Sequence, residues 1–154
     1  MPAPKKISRT ATFEMKNTAL HSLNDKNHCA VLAIAVLTGE PVEKVQAACE
    51  ERGRKRGQGT CTFIMRNVLR DFGWTVREAD PMTFIRQYPG NHGRVLKNVT
   101  THHPARFNKV WKEVPRALLF SRGHVSASDH GELHDWAVGR ALRVHTIWIV
   151  ERMN

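Results

Sequence analysis

Apolar positions follow a helical rhythm up to about residue 73 and a two-residue, strand-like rhythm near the C-terminus. In NHCAVLAIAVLTG, starting at Asn27, a polar pair precedes an unbroken apolar run that stops at Gly39. This predicts a helix with an Asn or His at its cap and a glycine at its C-terminal end. It is apolar on almost every face, so it belongs in the interior. Pro41 opens a second helix, PVEKVQAACEERG, with Val42, Val45 and Ala48/Cys49 at helical spacing and Gly53 as its stop. After the loop RGRKRGQG, Thr60 is placed to cap a third helix, CTFIMRNVLRDFG. There Phe63, Ile64, Val68, Leu69 and Phe72 form one apolar stripe, and Gly73 ends it.

Trp74 to Arg77 reads as a short strand, and DPMTFIRQYPG as a helix of one or two turns. Residues 90–115 read as loop. RALLFSRG, HVSASD, ELHDWAV and RVHTIWIVER then predict four strands joined by short turns, an antiparallel meander. Helices first and strands afterwards give an α+β fold. Residues 1–18 are polar and Pro/Lys-rich at the start and are expected to form a flexible basic arm. Residues 19–154 are expected to form a single domain.

Composition narrows the picture. A chain of 154 residues has room for one hydrophobic core and not for two ordinary domains. Its longest apolar run, Ala30 to Leu37, is about half the roughly 18 residues a membrane span needs, so no membrane partner is expected. No apolar segment follows the basic N-terminus at signal-peptide spacing, and secretion is not expected. The three cysteines Cys29, Cys49 and Cys61 form no CxxC pair, which suits reduced thiols in the cytoplasm. Lysines and arginines number 24 against 14 acidic residues, a net charge of +10. That bias suits nucleic acid or an acidic protein, or serves solubility alone. Its densest patch is Arg52, Arg54, Lys55 and Arg56.

The candidate chemistry begins at Cys29. A nucleophilic thiol must ionise near neutral pH, and the first turn of a helix favours the thiolate. Cys29 falls in such a turn. Cys49 lies on the apolar side near a helix end and is expected to pack in the core. Cys61 starts a helix and is a weaker rival.

A base for Cys29 is found in RGHVSASDHGELHDWAV. If His130-Gly131 is a two-residue turn, Asp129 pairs with Glu132 and Ser126 with Asp135. Strand alternation then sets His124, Ser126 and Asp135 on one face, with Asp135 diagonal to His124 and within reach. A three-residue loop would turn Asp135 to the other face. In that register Asp135 can orient the His124 ring and stabilise its imidazolium.

The other histidines fit less well. His28 should diverge from the thiol, and His134 alternates to the opposite face. His130 occupies the turn, while His102 and His103 lie in a loop. His145 reads as a structural strand histidine. No C-x₂₋₄-C pair or HExxH motif occurs, and neither metal nor cofactor is expected.

A helix-start Cys, a later strand His and an Asp on the following strand stand in papain-superfamily order. The segments NDKNHCAVLAIAVLTGEPVEKVQAACEERGRKRGQGT and GHVSASDHGELHDW resemble small papain-like proteins of phages and bacteria. More distantly they resemble the peptidase domains of bacteriocin-processing transporters. The resemblance covers roughly residues 20–140. It implies a papain-like fold, with the nucleophile helix packed on a C-terminal antiparallel sheet. It also implies a cysteine peptidase or amide hydrolase acting on a peptide or protein substrate, in the host cytoplasm if phage-encoded. Cys29 would be the nucleophile, His124 the acid and base, and Asp135 the orienting residue. The superfamily's oxyanion-hole Gln is missing from this sequence. Asn24 could supply the amide donor, or Asn27, which reads equally as a simple helix cap. The competing reading is a papain-fold binding module whose basic loop, with Phe107 and Trp111 among nearby cations, engages nucleic acid or an acidic host protein.

Overall fold

The computed structural model describes residues 10–79, 114–136 and 144–154, together with the backbone of residues 99–100 and 141–142. Helix α2 (Cys29–Thr38) is the axis of the fold, and every residue from Ala30 to Leu37 is buried. It ends as its sequence demands. Gly39 adopts a φ of 75°, which glycine enters at little cost, and its N–H closes on the Ala35 carbonyl. Helices α1 (Ala11–Ser22), α3 (Val42–Glu51) and α4 (Thr62–Asp71) pack around α2. Helix α3 contributes Val42, Val45 and Cys49 to the core, and α4 contributes Met65, Val68 and Leu69.

The strands are β1 (Trp74–Ala79), β2 (Val99–Thr100), β3 (Arg116–Ser121), β4 (His124–Asp129), β5 (Glu132–His134), β6 (Ala141–Leu142) and β7 (Thr146–Arg152). Five of them form one antiparallel sheet in the order β1-β7-β3-β4-β5, and β2 pairs with β6 apart from it. Helix α2 lies against β4, and α4 against β1. Leu118, Phe120, Val125, Ala127, Trp148 and Val150 close the core beneath the helices. Among the described residues, four helices and a five-stranded antiparallel sheet make the fold α+β. No helix among the described residues is long and apolar enough to cross a membrane.

The structure departs from the sequence reading in several places. The expected arm of residues 1–18 is helical from Ala11, where Thr10 caps α1 by accepting the Phe13 N–H at 3.2 Å. Phe13, Asn17 and Leu20 are the buried face of α1, a stripe too sparse and too polar to stand out in the sequence. Helix α4 is capped at Cys61 and not at Thr60, and no side-chain hydrogen bond is made there. The last four strands are not a simple meander. Only β3-β4-β5 run in sequence order, and β7 inserts between β3 and β1. Its Ile147, Trp148, Ile149 and Val150 are all buried, and a strand apolar on both faces gains most at the centre of a sheet. The short helix expected over 80–90 and the loop histidines His102 and His103 lie outside the described residues.

Candidate active site

The approach to Cys29 is a polar turn. Helix α1 gives way to Asn24, Asp25 and Asn27, and both asparagines take left-handed φ angles of 56° and 52°. Their short side chains tolerate this conformation better than most. His28 is the N-cap of α2, and its side chain makes no capping bond to the helix. Cys29 therefore begins α2 beside backbone N–H groups that no cap side chain has claimed.

The opposite side of the site comes from the β4-β5 hairpin. His130 and Gly131 have φ angles of 48° and 85°, the left-handed pair of a two-residue hairpin turn. Asp129 pairs with Glu132, Ser128 with Leu133 and Ala127 with His134, the register read from the sequence. Asp135 follows β5 and accepts a 2.7 Å hydrogen bond on Oδ1 from His124 Nε2. Its carboxylate is almost completely buried, while the His124 side chain stays 28% exposed. With Nε2 engaged, Nδ1 is the ring atom left to face Cys29.

Cys29 and His124 set each other's charge. Burial alone would raise the Cys29 thiol pKa, yet hydrogen bonding to His124 and to the N–H groups of Val125 and Ala30 lowers it below the ordinary thiol value. His124 moves in the complementary direction. Its bond to Asp135, and then its bond to Cys29, raise its pKa to about 10 against the cost of burial. A thiolate facing an imidazolium is the ionisation state this arrangement favours. Cys49 behaves oppositely, since burial pushes its thiol up to about 11. Cys61 is exposed.

Both Cys29 and His124 line an open cleft of about 490 Å³. Its lining includes a wall segment, Gly59, Thr60, Cys61 and Thr62, at the start of α4, together with Ser121, Gly123 and His145, and Ala30, Met65, Phe120 and Val125. His145 is exposed and bonds Thr146 Oγ1 at 2.8 Å, so it is a cleft residue and not the strand histidine its apolar neighbours suggested. His134 is buried and bonded to Thr10 Oγ1 at 2.6 Å, tying β5 to the start of α1. His28 is also buried, 2.8 Å from Asn17 Oδ1. Trp136 packs edge-on to Phe13 and His28 and lies 5.9 Å from the His124 ring.

Neither asparagine proposed for the oxyanion hole lines this cleft. Asn24 is exposed in the turn after α1, and the Asn27 amide donates to the Gly57 carbonyl at 3.0 Å. The basic patch also differs from its sequence reading. Arg54 is fully buried and chelates both oxygens of Asp25 at 2.7 Å. Arg52 chelates Asp71, and Arg56 pairs with Glu50 at 2.8 Å, so of the four cations Lys55 is the exposed one whose side chain is in none of these pairs. Phe107 and Trp111 lie outside the described residues.

The Asp25–Arg54 pair is the feature the sequence did not disclose. Gln46 Nε2 bonds Asp25 Oδ2 at 2.9 Å, and the Gly57 N–H bonds Oδ1 at 3.1 Å. Burial works against the charge on Asp25, but Arg54, Gln46 and Gly57 together hold its pKa down at about 2. An Asp and an Arg in separate polar loops carry no local pattern that would join them. The glycines of the second loop, which predict tight turning, were the one available sign.

No protein-family model, curated protein or solved structure matches the chain. Among the described residues, no group of His, Cys, Asp and Glu is arranged to hold a metal ion.

Proposed function

We propose that this protein is a cysteine peptidase or related amide hydrolase of papain-like type, with Cys29 as nucleophile, His124 as acid and base, and Asp135 as the orienting carboxylate. The observation that carries this reading is the pairing of a helix-start thiol with a histidine whose far nitrogen is held at 2.7 Å by a buried aspartate. A structural cysteine needs no such partner, and an ordinary surface histidine needs no buried carboxylate behind it.

In the proposed reaction the Cys29 thiolate attacks a substrate carbonyl carbon, and the carbonyl oxygen takes the negative charge. The Cys29 backbone N–H, at the start of α2, is one donor for that oxygen. His124 gives its Nδ1 proton to the departing amine as the C–N bond breaks, leaving a thioester on Cys29. Water then attacks the thioester while His124 takes its proton, and the acid leaves as the thiolate reforms. Asp135 keeps the ring oriented throughout and stabilises its positive charge.

Cleavage of a mixed peptide library, read by mass spectrometry, tests the reading. The wild type should hydrolyse a subset of peptides and Cys29→Ala none. An equally active Cys29→Ala protein would sink the proposal. The alternative is a binding module acting through its basic loop; there Arg54 is buried against Asp25, whereas Arg52 and Arg56 pair with carboxylates at the surface.

A further inference from the structure

We propose that the buried Asp25–Arg54 pair is a positioning device for the reaction, holding the Gly59–Thr62 wall of the cleft in register with Cys29. The proposal rests on the nucleophile reading above and adds residues that touch neither Cys29 nor His124 in that reading. Asp25 lies four residues before Cys29, in the turn that delivers the thiol to α2. Arg54 lies five residues before Gly59, in the loop between α3 and α4 that becomes the cleft wall.

The two segments are tied by several bonds and by no regular secondary structure. Arg54 Nη1 and Nη2 each reach an Asp25 oxygen at 2.7 Å, and the Gly57 N–H reaches Oδ1 at 3.1 Å. Asn27 Nδ2 donates to the Gly57 carbonyl at 3.0 Å, and Arg56 Nη1 to the Leu23 carbonyl at 3.2 Å. Arg54 Nε extends the tie to the Gln58 carbonyl at 3.0 Å, one residue from the wall. Gln46 braces Asp25 from α3.

Position, more than stability, is what such a pair contributes. Both side chains are fully buried, and a buried ion pair is often no more stabilising than apolar residues of similar volume. What the bidentate geometry adds is a fixed distance and angle between two loops that would otherwise settle independently. Misplacing a substrate-holding wall by about 1 Å costs up to about a hundredfold in rate. The effect should fall on reagents that must fit between the wall and Cys29, and not on small reagents that need only the thiolate.

Two probes separate these effects. Iodoacetamide at about pH 6, where an ordinary thiol is mostly protonated, reports on the thiolate alone. A panel of dipeptidyl vinyl sulfones reports on the thiolate and the wall together. The double variant Asp25→Asn/Arg54→Met removes both buried charges at once and so leaves neither unpaired; Asn27→Gly removes one tie and keeps the left-handed backbone. In the double variant the best vinyl sulfone should react about tenfold more slowly or worse, with iodoacetamide within about twofold of wild type. Asn27→Gly should show a smaller loss of the same selectivity. Equal losses with both probes would make the pair merely structural and overturn the proposal, as would no loss with either. If wild-type Cys29 is no more reactive to iodoacetamide than Cys49 or Cys61, the nucleophile reading fails first and takes this proposal with it.

Discussion

Cys29 and His124 are joined by proton chemistry, so their reactivity should follow pH in a definite way. The His124 pKa is raised to about 10 and that of Cys29 is lowered, so the charged pair occupies the range between the two values. Alkylation of Cys29 by iodoacetamide, followed by mass spectrometry, should outpace that of Cys49 throughout the neutral range. Cys49, with its pKa near 11, serves as the slow internal control. His124→Ala should move the Cys29 profile up toward that of an ordinary thiol, near pH 8.5. In the proposed reaction, peptide hydrolysis should fall on the alkaline side as His124 loses its proton near pH 10 and can no longer serve as the acid. An unchanged alkylation profile in His124→Ala would mean that the imidazole does not set the thiol's charge. The helix-start position of Cys29 and the approach of Asp135 to His124 were legible because local rules act there, an apolar run in one case and alternation on either side of a turn in the other. Asp25 and Arg54 were not, because their bond joins two irregular segments and depends on the whole fold.

Hairpin register carries the site at the next scale. The His130-Gly131 turn sets Asp129 against Glu132, and that register brings Asp135 to His124. Side chains alternate along a strand, so inserting one glycine between His130 and Gly131 should slip β5 by one residue and turn Asp135 away. Because β5 is a short edge strand, the core beneath α2 should survive, and the variant should melt cooperatively, within about 1–2 kcal/mol of wild type. Its Cys29 should nevertheless lose the fast alkylation seen at neutral pH. A fast Cys29 in the insertion variant would show that Asp135 is dispensable to the pair. The hairpin and α2 could be read from the sequence because turn chemistry and an all-round apolar run are local signals. Helix α1 could not, since its buried face includes the polar Asn17 and its exposed face carries Met15. The insertion of β7 between β1 and β3 was equally hidden. Strand order is decided by which apolar faces must be covered, and sequence neighbours do not determine that.

Charge is organised at the scale of the whole molecule, and there the sequence was least direct. A net charge of +10 suggests a surface open to phosphates, yet the densest cationic run is largely spent on Asp71, Asp25 and Glu50. Arg52→Gln with Arg56→Gln should therefore leave single-stranded oligonucleotide binding, and its dependence on salt, nearly unchanged; a salt slope reduced by more than about one would contradict this. The same internal use of charge predicts an acid limit to stability. Asp25 has a folded pKa of about 2 against an ordinary 3.8, so its folded state binds fewer protons than its unfolded state as the pH falls. A depressed carboxylate pKa stabilises the fold fully above the unfolded value, and that contribution is lost as pH drops through the folded one. The shift corresponds to about 2 kcal/mol of pH-dependent stability, reckoned against the protonated carboxyl and not against an apolar replacement of the pair. Urea unfolding should thus show the wild type losing stability between about pH 4 and pH 2, with the double variant Asp25→Asn/Arg54→Met losing less over the same interval. Other carboxylates titrate there too, Asp71 with its Arg52 partner among them, so the difference between the two proteins is the quantity to read. Parallel losses would mean that Arg54 does not hold Asp25 ionised. A flatter curve for the variant would show that a charge counted as surface in the sequence is instead spent inside the fold, next to the turn that presents Cys29.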